Sequence, residues 1–413
     1  MAALTACTSG QPPVVDRAAP ETATQSADAA PEPSGSTPSA DLGRRQARLD
    51  DALIKAAWAG DVRRARELVA DGADVNDKDD SQQSAYLIST SQGYLDLLEL
   101  TLRNGADVGS LDSFNGTGLI RAADRGHADI VGRLLRTDID VDHVNNLGWT
   151  ALHEAILLGD GSRRYVDTVR LLVAGGADVE LPSRHDGVAP IDQARAEGHR
   201  AIEGTLRAAL DSGRVRDPDT ALLRAATGGD ADRAALALRA GADLETRDDR
   251  RRTPLLLAVT HDRVAVARVL VALDADPDAL DDQHDTPWLV SGVTGSVAMA
   301  DVLLPYDPDL TVLNRFGGTA LIPASERGHV GYVRRVVKTD IDVNLVNDLG
   351  WTALLEAVIL GDGSRPYQRI VRTLLAAGAD PRIGDRHGVT PLRHARARGH
   401  EAVMDVLTGL SRP

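Results

Sequence analysis

Few side chains in this sequence invite a chemical reading. His153 sits beside Glu154, His185 beside Asp186, and the string Asp281-Asp282-Gln283-His284-Asp285 concentrates acids around one histidine. Such groups do acid–base work, or hold a metal, only when the fold converges them on one point. No Gly-rich phosphate loop, nucleophile elbow or Cys/His zinc spacing accompanies them. An equivalent later unit has Leu355 where the earlier one has His153, so the unit folds without that histidine. The acidic string has the composition of a turn. Gly159-Asp160-Gly161-Ser162 and Gly361-Asp362-Gly363-Ser364 could offer backbone N–H groups and a carboxylate to a ligand. One such loop has too few ligands for calcium, and a longer helix–helix turn is the simpler reading. No catalytic residue, metal ligand or cofactor is assigned, and a non-enzymatic chain is expected.

The elements that carry these residues repeat. Thr220, Thr253, Thr286, Thr319 and Thr352 are spaced by 33, and the ladder runs earlier through Ser84, Thr117 and Thr150. Asp276, Asp309 and Asp342 each follow their threonine by 23 residues. A fixed period of this size predicts a solenoid, because one unit buries its apolar face only against the next. Each threonine is placed to cap a helix. Pro190, Pro254, Pro287 and Pro391 stand next, where a missing N–H is tolerated. Leu152, Ala155 and Ile156 follow at helical spacing. Gly126, Gly328 and Gly399 suit left-handed helix ends. His127, His199, His329 and His400 follow such glycines and read as structural.

Asp112 to Asp142 reads DSFNGTGLIRAADRGHADIVGRLLRTDIDVD, and Asp385 to Leu407 reads DRHGVTPLRHARARGHEAVMDVL. These units resemble the ankyrin repeat over about residues 49 to 410. The resemblance implies an all-α ankyrin-repeat solenoid with β-turn fingers and about eleven repeats. Each repeat would hold a short inner and a longer outer helix.

A second repetition lies on the first. Residues 145–162 and 347–364 match at 14 of 18 positions with an offset of 202. Two blocks are therefore expected, 49–217 and 218–413. The spacing from Ala189 to Thr220 is 31, close to one period, which predicts one continuous stack bent near 211–219.

A formal net charge of -15 argues against a nucleic-acid partner, which needs a basic stripe. Residues 8–41 are rich in Pro, Ser, Thr and Ala without apolar periodicity and read as a disordered tether. The single cysteine, Cys7, closes Leu4-Thr5-Ala6-Cys7. That run resembles the lipobox of bacterial lipoproteins, whose cysteine carries a diacylglyceryl group and can be further acylated. The resemblance implies lipidation at Cys7, residues 1–6 as the remnant of a signal peptide, and 7–48 as anchor and tether. The chain would then sit on the extracytoplasmic face of the cell membrane, attached by its lipid alone. The alternative is a cytoplasmic protein.

Aromatic residues are scarce, with two Phe and four Trp. Phe114 and Phe316 occupy equivalent finger turns, and Trp149 and Trp351 directly precede the capping threonines of the next repeats. Trp288 replaces a core leucine and is expected to be buried. In the resembled family the fingers and inner helices form a concave binding groove. Phe114, Trp149, Phe316 and Trp351 are thus candidate contacts for a protein or peptide partner, since rigid aromatics dominate interface energy. Stiffening of the fingers is the other reading of the two tryptophans. A cytosolic interaction protein and a small-ligand or glycan binder remain as alternatives, and the oligomeric state is open.

Overall fold

The computed structural model describes residues 38–211 and 215–409. Among them are twenty-two α-helices in eleven pairs and no β-strand. The first five pairs are α1 (Pro38–Trp58) with α2 (Val62–Ala70), α3 (Ala85–Gln92) with α4 (Leu95–Arg103), α5 (Gly118–Asp124) with α6 (Ala128–Leu134), α7 (Ala151–Leu157) with α8 (Arg163–Ala174), and α9 (Pro190–Ala196) with α10 (Arg200–Asp211). Then come α11 (Pro218–Gly228) with α12 (Ala231–Arg239), α13 (Pro254–Thr260) with α14 (Val264–Ala272), and α15 (Pro287–Thr294) with α16 (Val297–Leu303). The last three are α17 (Leu321–Glu326) with α18 (Val330–Val336), α19 (Ala353–Ile359) with α20 (Arg365–Ala376), and α21 (Pro391–Ala397) with α22 (Glu401–Leu407). Helix α1 starts at Pro38, so residues 38–48, expected to belong to the tether, are helical.

Local chemistry explains the pairs. The Thr253 and Thr352 hydroxyls accept the N–H three residues on, both at 3.2 Å, a cap worth about 1 kcal/mol. Not every threonine caps: Thr220 lies inside α11, where Asp217 accepts its N–H at 3.2 Å, Thr390 makes no side-chain cap bond, and Thr319 is uncapped for a local reason. Pro323 has no N–H to give the Thr319 carbonyl, so the Ile322 N–H takes that carbonyl at 3.2 Å. The Thr319 hydroxyl is left buried and unpaired. Inner-helix residues such as Leu152, Leu354 and Trp288 are at most 2 % exposed. The structural histidines tie repeats together: Nε2 of His127, His199 and His329 reaches the carbonyls of Ser91, Gly159 and Val293 at 3.1–3.3 Å.

Most fingers are Asx turns; the Ser183 finger uses a serine hydroxyl, which accepts the Val188 N–H at 3.1 Å. Asp112 Oδ1 accepts the N–H groups of Phe114 and Gly116, both at 2.8 Å. Asn145, Asp248, Asp281, Asn314 and Asn347 do the same with residues two and four ahead. The carboxylate or amide ties the turn to itself, so the residue two positions on projects from a fixed base.

The expectation of one continuous stack is not met. Inner helices α3, α5, α7 and α9 stack in order, and so do α11 to α21, but α11 does not stack on α9. Successive repeats are joined by a rung in which a side-chain oxygen of one repeat accepts the N–H of the GAD-position aspartate in the next. Asn76 takes Asp107 at 2.8 Å and Glu245 takes Asp276 at 2.9 Å. At the head of each stack the repeat supplies its own acceptor. Asp50 takes the Asp74 N–H, and Asp219 takes the Asp243 N–H, both at 2.7 Å.

The second stack docks instead on the back of the first. Outer helices α12 and α14 pack against outer helices α8 and α6. Arg170 Nε meets Asp232 Oδ1 at 2.7 Å, and Arg239 donates to the Ala177 carbonyl at 2.7 Å. Arg136 pairs with Asp274. Helix α8 is buried almost all round, including Val166, Asp167 and Leu171. Its counterpart α20 carries Gln368, Arg369 and Thr373 there and buries only Ile370, Val371 and Leu374. Burying an aliphatic side chain contributes roughly 1.5–3 kcal/mol, so Val166 and Leu171 give α8 a second sticky face that α20 lacks. Gly132 on α6 lets the Ala272 backbone come close, and its counterpart Arg334 is exposed. Because outer helices meet outer helices, the two inner-helix faces look away from each other.

Candidate functional site

The inner-helix faces carry two equivalent clefts. The first lies between the fingers of Asp112 and Asn145 and has a volume of about 160 Å³. The second, at the fingers of Asn314 and Asn347, has a volume of about 480 Å³ and extends onto the two preceding fingers. Every residue lining the first has its counterpart 202 positions later lining the second.

Three apolar side chains rim each cleft. Phe114 and Leu147 project from successive Asx turns, and Leu158 ends α7; Phe316, Leu349 and Leu360 repeat the arrangement. All six are 43–58 % exposed. Among the described residues thirteen large apolar side chains are exposed, and nearly half of them gather here. Adjacent fingers are stitched by the Asn146 N–H to the Phe114 carbonyl and the Asp348 N–H to the Phe316 carbonyl, both 2.9 Å. The aromatic positions are therefore rigid.

A carboxyl forms each floor. Glu154 and Glu356 are both 4 % exposed. Asn145 Nδ2 donates to Glu154 Oε1 at 2.7 Å, and Asn347 Nδ2 to Glu356 Oε1 at 2.9 Å. Burial pushes both carboxyls up to about 7, against the pull of these amide bonds. Buried ionisable groups cost stability unless paired, and their presence in a cleft marks a candidate functional site.

The first cleft holds an ion pair that the second lacks. In the first, Arg121 lies 3.4 Å from Asp112 and 3.6 Å from Asp124, and it lowers the Glu154 carboxyl electrostatically. In the second, Asn314, Pro323 and Glu326 occupy these positions, and a neighbouring carboxylate, Glu326, raises Glu356 further.

Of the residues singled out in the sequence, Phe114 and Phe316 line the clefts. Trp149 and Trp351 are half-buried. Their N–H groups bond Asn145 and Asn347 at 3.0 and 2.9 Å, and neither ring lines a cleft with its phenylalanine. Cys7 lies outside the described residues. Trp288 is fully buried and tilts against Tyr332, with ring centroids 6.4 Å apart. His153 helps cap its own helix, its Nδ1 lying 2.8 Å from the Thr150 hydroxyl. The GDGS loops close on themselves: Asp160 and Asp362 accept the N–H of Ser162 and Ser364, both at 2.9 Å. No group of His, Cys, Asp or Glu among the described residues could hold a metal ion, and no described helix is long and apolar enough to cross a membrane.

Leu147, Leu158 and their counterparts, and Glu356, went unnoticed in the sequence, and Glu154 was noted only as the neighbour of His153. One signal was available. Leu158 and Leu360 are identical although exposed, while the less exposed neighbours Ile156 and Leu157 became Val358 and Ile359.

Comparison with known proteins fits this architecture. The model "Ankyrin repeats (3 copies)" matches residues 86–183 and 289–385, and "Ankyrin repeat" matches 250–282. The ankyrin repeat protein YahD of Escherichia coli (strain K12) is 46% identical over 52 residues, which is 13% of this chain and 26% of that protein. The chain thus spans about a quarter of that curated relative. The crystal structure of an ankyrin repeat domain from Acinetobacter baumannii AYE is 42% identical, with a TM-score of 0.44, covering 46% of this chain and 96% of that one. The ankyrin repeat protein EF0377 is 34% identical, with a TM-score of 0.45, covering 47% of this chain and 98% of its own. With the 33-residue period, the Asx-turn fingers and the paired helices, the two family-model matches show that the chain belongs to the ankyrin-repeat family.

Proposed function

We propose that the chain is a non-catalytic scaffold that holds a protein or peptide partner against its inner-helix faces. One observation carries this reading: six of the exposed large apolar side chains converge on two equivalent, rigid clefts. Isolated exposed leucines are ordinary, whereas clustered ones mark contact surfaces. The test is paired. A partner is captured on the immobilised chain, then affinity and melting are measured for each variant. Phe114→Ala and Phe316→Ala should each weaken the complex by ~2 kcal/mol at unchanged melting temperature. Unchanged affinity in both would remove the clefts from the interface. The same measurements place the tryptophans. Loss of affinity alone at Trp149→Ala or Trp351→Ala makes that residue part of the surface, and loss of melting with it makes the residue a finger support. Capture of a glycan or small molecule instead of a protein would favour the alternative ligand class.

A second reading concerns location. The Leu4-Thr5-Ala6-Cys7 run supports a lipid anchor on Cys7, holding the scaffold at the outer face of a bacterial membrane. Cell fractionation of the wild type and Cys7→Ala tests it. The wild type should partition with membranes and carry acyl mass, and the variant should not. A soluble, unacylated wild type would mean a cytoplasmic protein.

A further inference from the structure

Internal duplication supplies a built-in comparison between the two clefts. In the first, a guanidinium of the chain itself, Arg121, stands among Asp112, Asp124 and Glu154. In the second, the counterpart of that arginine is Pro323, while two of the three carboxylates persist as Glu326 and Glu356. Arg121 and its nearest partner Asp112 are both lost, as Pro323 and Asn314, while the other two acids remain with no cation supplied from this position. We propose that the second cleft takes an arginine side chain of the partner, seated where Arg121 sits in the first and flanked by Phe316, Leu349 and Leu360.

This rests on the partner-binding reading above and names what the partner must carry. The chemistry is complementary. No described donor reaches Glu356 Oε2, since Asn347 engages only Oε1. A guanidinium offers several donors in a fixed plane and suits paired carboxylates better than a lysine ammonium does. Leucine and phenylalanine walls match an arginine stem and its apolar neighbours. The cleft's own arginines do not fill the gap. Arg252 pairs with Asp248 at 2.7 Å, and Arg315 pairs with Asp285 at 3.1 Å and lies over the Phe316 ring. Arg327, whose counterpart is Arg125, is exposed just beyond the end of α17, and Arg250 is exposed on a finger two repeats upstream.

The test uses N-acetyl-Leu-Arg-Leu-amide and its citrulline counterpart, which has the same shape without the charge. Both are titrated into the full chain at pH 8 and followed by amide NMR shifts. The arginine peptide should bind at 1:1 and at least tenfold more tightly, with shifts at residues 314–318 and 347–351. Glu356→Gln should erase the difference between peptides. Pro323→Arg, which supplies the missing guanidinium and restores a helix N–H, should block binding while melting at or above the wild-type temperature. Equal affinity for both peptides, persistence of the difference in Glu356→Gln, or no binding of either overturns the proposal. The wider scaffold reading is judged separately, by the response of the captured partner to Phe114→Ala and Phe316→Ala.

Discussion

Gly132→Arg should separate the two stacks. A Cβ at this position would lie 2.3 Å from the Ala272 carbonyl oxygen and 2.7 Å from the Ala272 Cβ. Backbone cannot move aside as a flexible side chain can, and the guanidinium would have to be buried besides. Overpacking alone costs about 1–3 kcal/mol, and an unpaired buried charge adds several more. The substitution is mild for the helix itself, because the counterpart position in α18 is Arg334 and exposed. The damage should therefore fall on the docking of α12 and α14 on α8 and α6. Denaturation should resolve into two transitions instead of one. The radius of gyration should rise, and the newly bared faces of α8 and α14 should bind a hydrophobic dye. One transition at the wild-type midpoint, with unchanged dimensions, would show that the seam does not hold the stacks together.

The double variant Glu154→Gln/Glu356→Gln should be more stable than the wild type at pH 8 and indistinguishable from it near pH 4.5. Burial raises both carboxyls from 4.5 to about 7. A raised folded-state value means that the folded chain holds the proton more tightly than the unfolded chain does. The stabilisation is complete below about 4.5 and is withdrawn as the pH climbs through about 7. Each ionised carboxylate then costs roughly 1–3 kcal/mol, with the lower figure applying where cleft water screens it. Glutamine keeps an oxygen for the Asn145 or Asn347 amide and has no charge to bury. Urea midpoints across this pH range give the result directly. A variant weaker than the wild type at pH 8 would mean that the carboxylates are satisfied as ions.

Much of this architecture could be read from residue spacing. Thr253 and Thr352 cap as their positions require, His127, His199 and His329 recur because each ties one repeat to the previous one, and residues 145–162 align with 347–364. The break between the stacks was hidden because 31 residues from Ala189 to Thr220 nearly equal one period. Local pattern fixes what each repeat is, whereas the outward face of its outer helix decides what it docks on. Comparing Val166, Asp167 and Leu171 with Gln368, Arg369 and Thr373 would have exposed the difference. The clefts were half legible. Phenylalanine is rare enough here to attract notice, but an exposed leucine at a helix end looks like any other. Glu154 is set aside with His153 because the repeat pattern does not show the neighbouring finger closing over it.

The seam also has a mechanical meaning. A lone solenoid behaves as a spring, because small rotations at successive repeat interfaces add along its length. Fastening α12 and α14 across α8 and α6 laminates that spring, so bending there must shear a packed face. The repeats that carry α18, α20 and α22 have no such backing from the other stack and extend beyond it as a cantilever. The Phe114 cleft is thus mounted on the braced part and the Phe316 cleft on the unbacked part. Two equivalent clefts on one molecule differ in what stands behind them: one is held by the other stack, the other by its own repeats alone.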